Sequence, residues 1–300
     1  MITIQPGDLT HDAVHWWELA GHESEEMQTA WAQVSVALRP LGAFAGRWAE
    51  PRDDGSHLSL TWLGGQGLLD GLFVTEPGQG QGQSRRAVLR VWDLMLYLVE
   101  ESGTPVAETS LVGKAPVESI EWITQTSETQ LGPASNARWQ EPPLEVETAF
   151  AEPSQLAQAE LIRLYANTSA VLEQISWTVE GAEPVRTDPF TAEMMVQIVL
   201  PTSAEATPPN AVLLGLAPPG ALSKSGYWYV APWDAESRLR AFDWPKLTRG
   251  DWSRQGEDLP IAILAVDDVT KTQDPREQLE RVSEFFAQAA NASVRFFQES

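Results

Sequence analysis

The chain has 300 residues, 43% hydrophobic and 9% aromatic, enough to bury one large core or two ordinary ones. Its 42 acids against 20 Lys and Arg leave a formal net charge of −22, which repels a phosphate backbone and argues against nucleic acid as a partner. Cysteine is absent, which excludes disulfides, thiolate metal ligands and a cysteine nucleophile, and no apolar stretch approaches the roughly 20 residues of a membrane-spanning helix.

The opening residues, MITIQPGDLTHDAVHWW, lack a basic start followed by an apolar run, so no secretory signal is read and a cytoplasmic location is expected. If 11–21 is helical, His11, His15 and Glu18 share one face at i, i+4 and i+7. Two imidazoles one turn apart can chelate a divalent metal, with a carboxylate nearby to help. The alternative is a polar stripe facing water while Val14 and Trp17 pack inward. The next helix runs from Ser24 to Leu38, with Ser24 at the N-cap and Met27, Trp31, Val34 and Leu38 on the buried side; Pro40 and Gly42 are expected to stop it.

Strands are predicted over 57–63 and 68–74, and the dense apolar run RAVLRVWDLMLYLVEESG reads as a helix ending at Gly103, with strand left open. VAETSLV and ESIEWIT read as half-exposed strands. A polar stretch over 125–154, rich in Pro, Ser and Thr, contains one alternating strand from Leu144 to Phe150 and places a domain boundary there: 1–150 and 151–300. A helix is predicted over 154–178, with Leu161, Leu164, Tyr165, Leu172 and Ile175 at spacings of three and four. Strands come next at 193–200, 210–217, 226–231 and 259–266, bounded by Pro, Gly, Asn or Asp. The final helix, 275–297, has Asp274 as N-cap, Pro275 at its first position and Glu277 at its third. Its stripe is Leu279, Val282, Phe286, Ala289 and Phe297. Both halves thus read helix, strands, helix, the order a duplication would leave, although no residue-level repeat is present. Antiparallel strands flanked by long helices predict an α+β fold, two lobes of mostly antiparallel sheet.

Thirteen tryptophans are many. Most are expected in the core and in seams between layers. The aromatic strand YWYVAPWD (227–234) is the candidate for a ligand groove, through Tyr227, Trp228, Tyr229 and Trp233. Tyr227 and Tyr229 share one face of a strand and Trp228 takes the other, so only one of these sets lines a groove. The glycine-rich 76–86 stretch, ending in Arg85-Arg86, stands between a predicted strand and a predicted helix, where a phosphate could rest on backbone N–H groups. It matches neither the dinucleotide fingerprint nor the P-loop, and a solvated loop is the plainer reading. Asp267 and Asp268, at a strand end, could hold magnesium or serve as turn residues. There is no G-x-S-x-G elbow for a serine hydrolase.

Three stretches carry a family likeness: AWAQVSVALRPL (30–41), VLLGLAPPGALSKSGYWYVAPWD (212–234) and GEDLPIAILAVDDVTKTQDPREQLERVSEFFAQAAN (256–291). Together they resemble a bacterial family catalogued as domain of unknown function 5996, whose order of elements spans most of the chain. The chain departs from that family's pattern twice. A Trp-Trp-His cluster is reduced to Arg47-Trp48, and a Gly-Lys-x-Pro-x-His block is missing near Phe190. The resemblance implies a shared α+β fold and no reaction.

The leading expectation is a binding module for a small molecule or a protein, with no cofactor and with Tyr227, Trp228, Tyr229 and Trp233 as candidate contacts. The competing reading is a metal-dependent enzyme using His11, His15 and Glu18, with Asp267 or Asp268. A third is a structural subunit whose tryptophans form an oligomer interface.

Overall fold

The computed structural model describes residues 3–9, 15–21, 24–64, 67–71, 74–75, 84–136, 139–144, 146–201, 210–233, 243–255 and 259–299. The helices are α1 (Pro6–Leu9), α2 (Ser24–Ala37), α3 (Arg39–Trp48), α4 (Pro116–Leu131), α5 (Gln155–Thr178), α6 (Val266–Val269) and α7 (Pro275–Glu299). The strands before α5 are β1 (Thr61–Leu63), β2 (Leu68–Asp70), β3 (Val74–Thr75), β4 (Ser84–Arg90), β5 (Met95–Glu100) and β6 (Pro105–Ser110). After it come β7 (Arg186–Thr187), β8 (Met194–Val199), β9 (Ala211–Ala217), β10 (Tyr227–Trp233), β11 (Asp251–Gln255) and β12 (Leu259–Ala265). Antiparallel sheets with helices make the fold α+β, as expected. Among the described residues, no helix is long and apolar enough to cross a membrane.

The chain forms two compact units. The first comprises Met1–Ser24, Arg163–Val185 and Glu193–Ser300; the second comprises Glu25–Ile162 and Arg186–Ala192.

In the second unit, α2 buries Trp31 and Val34, and Leu38, between α2 and α3, is buried as well. Pro40 does not stop the helical run. It falls in the first turn of α3, where its missing N–H would have had no intrahelical partner in any case. One face of α3 is formed by Gly42 and Gly46. A Cβ on Gly42 would drive into the Phe190 ring and a Cβ on Gly46 into the Trp139 indole, so the two glycines let these rings lie on the helix. Trp139 and Phe190 stack with centroids 6.5 Å apart, the Arg39 guanidinium lies 5.2 Å over Phe190, and that of Arg47 lies 5.9 Å from the Trp139 ring.

The predicted 86–103 helix is instead a hairpin, β4–β5, with Arg85 opposite Glu100 and Arg90 opposite Met95. Its turn passes through Leu94 at φ 52°. Leu89, Leu96 and Leu98 are fully buried on one face, while Val88, Tyr97 and Val99 cluster on the other. With both faces covered, the apolar residues run together instead of alternating, which disguises the strands. The predicted 118–124 strand is α4. Pro116 opens it, the Glu118 carboxylate accepts the Ala115 N–H at 2.6 Å, and Ile120, Ile123, Ser127 and Leu131 are buried at helical spacing. The predicted 144–150 strand is irregular in its described residues. Phe150 anchors it, buried and bonded through its backbone to Gly113 and Lys114.

The sheet of this unit runs β1-β2-β4-β5-β6, with β3 also on β4. Leu60 and Thr187 exchange both backbone hydrogen bonds at 2.8 Å, which joins the β7 segment to the start of β1. Asp70 in β2 is 3% exposed. It is paired with Arg86 through Oδ2, and its Oδ1 is buried without a partner. Burial pushes the Asp70 carboxyl up to about 6, against the opposing pull of Arg86.

The first unit holds the antiparallel order β11-β12-β10-β9-β8. One face of this sheet gathers Trp228, Val230, Leu214, Leu216, Met194, Val196 and Ala262, all fully buried. Long helices supply further core. From α5 come Leu164, Tyr165, Leu172 and Ile175; from α7 come Val282, Phe286 and Ala289. Phe296 takes the buried place expected of Phe297, which is half-buried. Asp274 caps α7 as predicted, its carboxylate accepting the Arg276 N–H at 2.9 Å.

Candidate functional site

β10 alternates its aromatic residues between the two faces of the sheet. Trp228 is fully buried on the core face, where its Nε1 donates to Thr168 Oγ1 at 3.0 Å and its ring lies 6.3 Å from that of Trp16. It is a core residue. Tyr227, Tyr229 and Trp233 lie on the opposite face. Tyr227 and Trp233 are half-buried, and Tyr229 is 7% exposed. The Tyr227 and Tyr229 rings are 6.5 Å apart and tilted by 59°. Tyr229 stands opposite Gly215. A Cβ at 215 would come within 2.9 Å of the Tyr229 ring, so the missing side chain lets the phenol lie flat across the neighbouring strand.

That ring leads to Glu193. The Tyr229 hydroxyl donates to Glu193 Oε2 at 3.4 Å. Tyr227 and the wholly buried Tyr165 of α5 also feel this carboxylate: burial first, then the Glu193 charge, pushes both hydroxyls above the ordinary tyrosine range. Of the chain's four tyrosines, Tyr229 therefore bonds Glu193, and Tyr165 and Tyr227 feel its charge. Trp233 stands four residues beyond Tyr229, roughly 13 Å along the strand, and is outside this cluster.

Glu193 and Tyr165 are the residues that sequence reasoning missed. The available signal was a charged residue opening an otherwise apolar strand. The turn that delivers it is specific: Asp188 Oδ1 accepts the N–H groups of Phe190 and Thr191, and Ala192 comes next at φ 59°.

The opening His/Glu stripe is not helical where it is described. His11 lies outside the described residues, and 15–21 has no regular secondary structure. Two side-chain amides take up this segment's backbone groups. Asn167 bonds both the N–H and the carbonyl of Trp17 at 2.8 and 2.7 Å, and Gln278 does the same for Leu19 at 2.9 and 2.8 Å. Gln278 also accepts the Trp16 indole N–H at 3.2 Å. Each amide supplies the pair of bonds that a strand neighbour would. Trp16 is buried, whereas Trp17, expected to pack inward, is half exposed with His15 edge-on at 4.5 Å. His15 and Glu18 are exposed.

Among the described residues, no group of three or more metal-ligating side chains is gathered. Asp267 and Asp268 occupy the first turn of α6, both exposed, with Asp268 bonded to Lys271 at 2.6 Å. Residues 76–83 lie outside the described residues, and the chain continues from them into strand β4. The strand–loop–helix setting expected for a phosphate is therefore replaced by a strand on both sides.

Comparison with protein-family models, characterised proteins and solved structures gives no match for this chain.

Proposed function

We propose that the protein is a non-catalytic binding module for a small molecule, with its site at the Glu193 end of the first unit's sheet. The observation that carries this reading is the Tyr229 hydrogen bond to the Glu193 carboxylate, with the half-buried Tyr227 ring 6.5 Å from that of Tyr229 on the same sheet face. The buried Tyr229 phenol holds the acid, while Tyr227 offers a ring face and a hydroxyl to a ligand. The cluster contains phenols and one carboxylate, a set suited to holding and orienting a ligand rather than to nucleophilic attack. Its place on β-strands gives it a rigid footing.

The test is a thermal-shift screen of the full chain against a small-molecule library, with titration of the hits. Compounds that bind this site lose at least about tenfold in affinity in Tyr227→Ala, the order expected for an aromatic contact worth a little over 1 kcal/mol. They are unaffected in Trp177→Ala, a change at a tryptophan that is 75% exposed. If every confirmed binder ignores Tyr227→Ala, the reading is wrong.

A further inference from the structure

We propose that His57 is a pH-sensitive latch: as a neutral ring it closes the turn between α3 and β1, and its protonation in mild acid releases residues 50–56. Ser56–Leu58 form a short 3-10 turn in that connection. The chain reaches it through residues 50–54, all exposed, and through Gly55, which takes φ 70°. His57 itself is only 8% exposed. Its Nδ1 accepts the backbone N–H of Arg52 at 3.2 Å. Three further bonds shape the loop. The Gly55 N–H donates to the Arg52 carbonyl at 3.0 Å, the Ser56 N–H to Asp54 Oδ1 at 3.0 Å, and the Arg52 guanidinium to Ser56 Oγ at 3.3 Å. Those three lie within 52–56; the bond to the imidazole ties Arg52 to a buried side chain.

An imidazole nitrogen that accepts a hydrogen bond carries no proton, so neutral His57 holds its one proton on Nε2. A second proton has to go to Nδ1, the atom that faces the Arg52 N–H. Two donors then point at each other, and the bond is lost. Burial is the largest influence on the ring and holds it below the ordinary histidine range; the Asp54 charge opposes burial, and Arg52 adds to it. Asp54 is itself engaged by the Ser56 N–H and feels Arg186 of β7. The other acids of the loop, Glu50 and Asp53, are exposed. Helix α3, packed against this turn, carries Arg39 and Arg47 and no acid, and these two guanidiniums lie over Phe190 and Trp139. Protonation therefore favours the open turn, where the imidazole regains its ordinary pKa of about 6.5. Because the folded-state pKa is depressed, the closed turn is at full strength above about pH 6.5 and weakens as the pH falls. Asp70 has the opposite sign, since burial raises its carboxyl.

The experiment is NMR of the full chain between about pH 7.5 and 5.0, reading the ring nitrogens of His57 and the protection of the Arg52 amide against solvent exchange, relative to an unstructured chain. At the upper end the ring is expected as the Nε2–H tautomer, with Arg52 protected. Toward the lower end the ring protonates and Arg52 protection falls about fivefold or more. The ceiling is about thirtyfold, the limit for a group that titrates near 6.5 only when the turn is open. The Val199 amide of the first unit, bonded to the Gly181 carbonyl at 2.8 Å, keeps its protection. His57→Asn retains an acceptor in the place of Nδ1 and has no proton to gain, so Arg52 protection stays within about twofold across the range. Asp54→Asn keeps the acceptor for Ser56, removes the charge and moves the fall to lower pH. Arg52 protection that is unchanged in acid, whether or not the ring has protonated, overturns the proposal. So does a His57→Asn variant whose Arg52 protection falls like the parent's, or an equal loss at Val199, which would mean global unfolding. The parent protein alone decides the matter if His57→Asn does not fold.

Discussion

Replacing Asp70 with Asn should stabilise the protein at neutral pH and lose that advantage in acid. Asp70 is 3% exposed, one of its oxygens has no partner, and its carboxyl is raised from 3.8 to about 6. The folded state holds the proton more tightly than the unfolded chain. The ionised form is therefore penalised above pH 6, and the penalty is gone below 3.8. About two pKa units at 1.36 kcal/mol each amount to about 3 kcal/mol at full ionisation. Between pH 7.5 and 4.5 the advantage of Asp70→Asn over the parent should shrink by about 2 kcal/mol. The absolute gain is smaller than 3 kcal/mol, because Arg86 loses this ion pair. Its side chain is 23% exposed and can turn toward water. Urea unfolding monitored by circular dichroism at half-unit pH steps measures the difference. Parallel pH profiles for the two proteins would show that Asp70 is not a strained acid and that its lone oxygen is satisfied in solution.

Gly46→Ala should lower stability by about 1–3 kcal/mol, the usual cost of overpacking, because the new methyl meets the Trp139 indole. Pairing it with Trp139→Ala should recover part of the loss, which thermal melting of the two variants will show. Gln278→Ala removes both backbone bonds to Leu19 and the acceptor of the Trp16 indole N–H. Amide exchange at Leu19 should accelerate by about one to two orders of magnitude, matching 1–3 kcal/mol for stranded buried donors. Unchanged exchange there would mean that the amide does not hold the segment.

The sequence made the long elements plain and hid the exceptions, for identifiable physical reasons. α5, α7 and β8, β9, β10 and β12 are each long, bounded by caps or turn residues, and single in period, so local pattern and tertiary structure agree. β4 and β5 were hidden because both their faces are covered. α4 was hidden because the alternating residues of ESIEWIT also fit a helix once Pro116 and Glu118 are seen as its start. β11 was missed altogether, a short strand that comes after a turn at Gly250 (φ 69°) and pairs with β12. At the candidate site, Tyr227, Tyr229 and their shared face could be read from alternation alone. Trp228 belonged to the core by the same rule. Glu193 and Tyr165 could not be found this way, because they reach the site through cross-strand register and a helix 28 residues upstream in the chain, counting from 165 to 193. The His11–His15–Glu18 stripe assumed a helix, and Asn167 and Gln278, far away in sequence, replace the backbone bonds that a helix would make.

The rings seated on Gly42 and Gly46 bear on how this chain can have diverged. Neither glycine gains a side chain without displacing the large ring above it. A helix near residue 45 and two loop segments some 90 and 145 positions downstream are therefore coupled, so that a change of side chain at one is felt at the others.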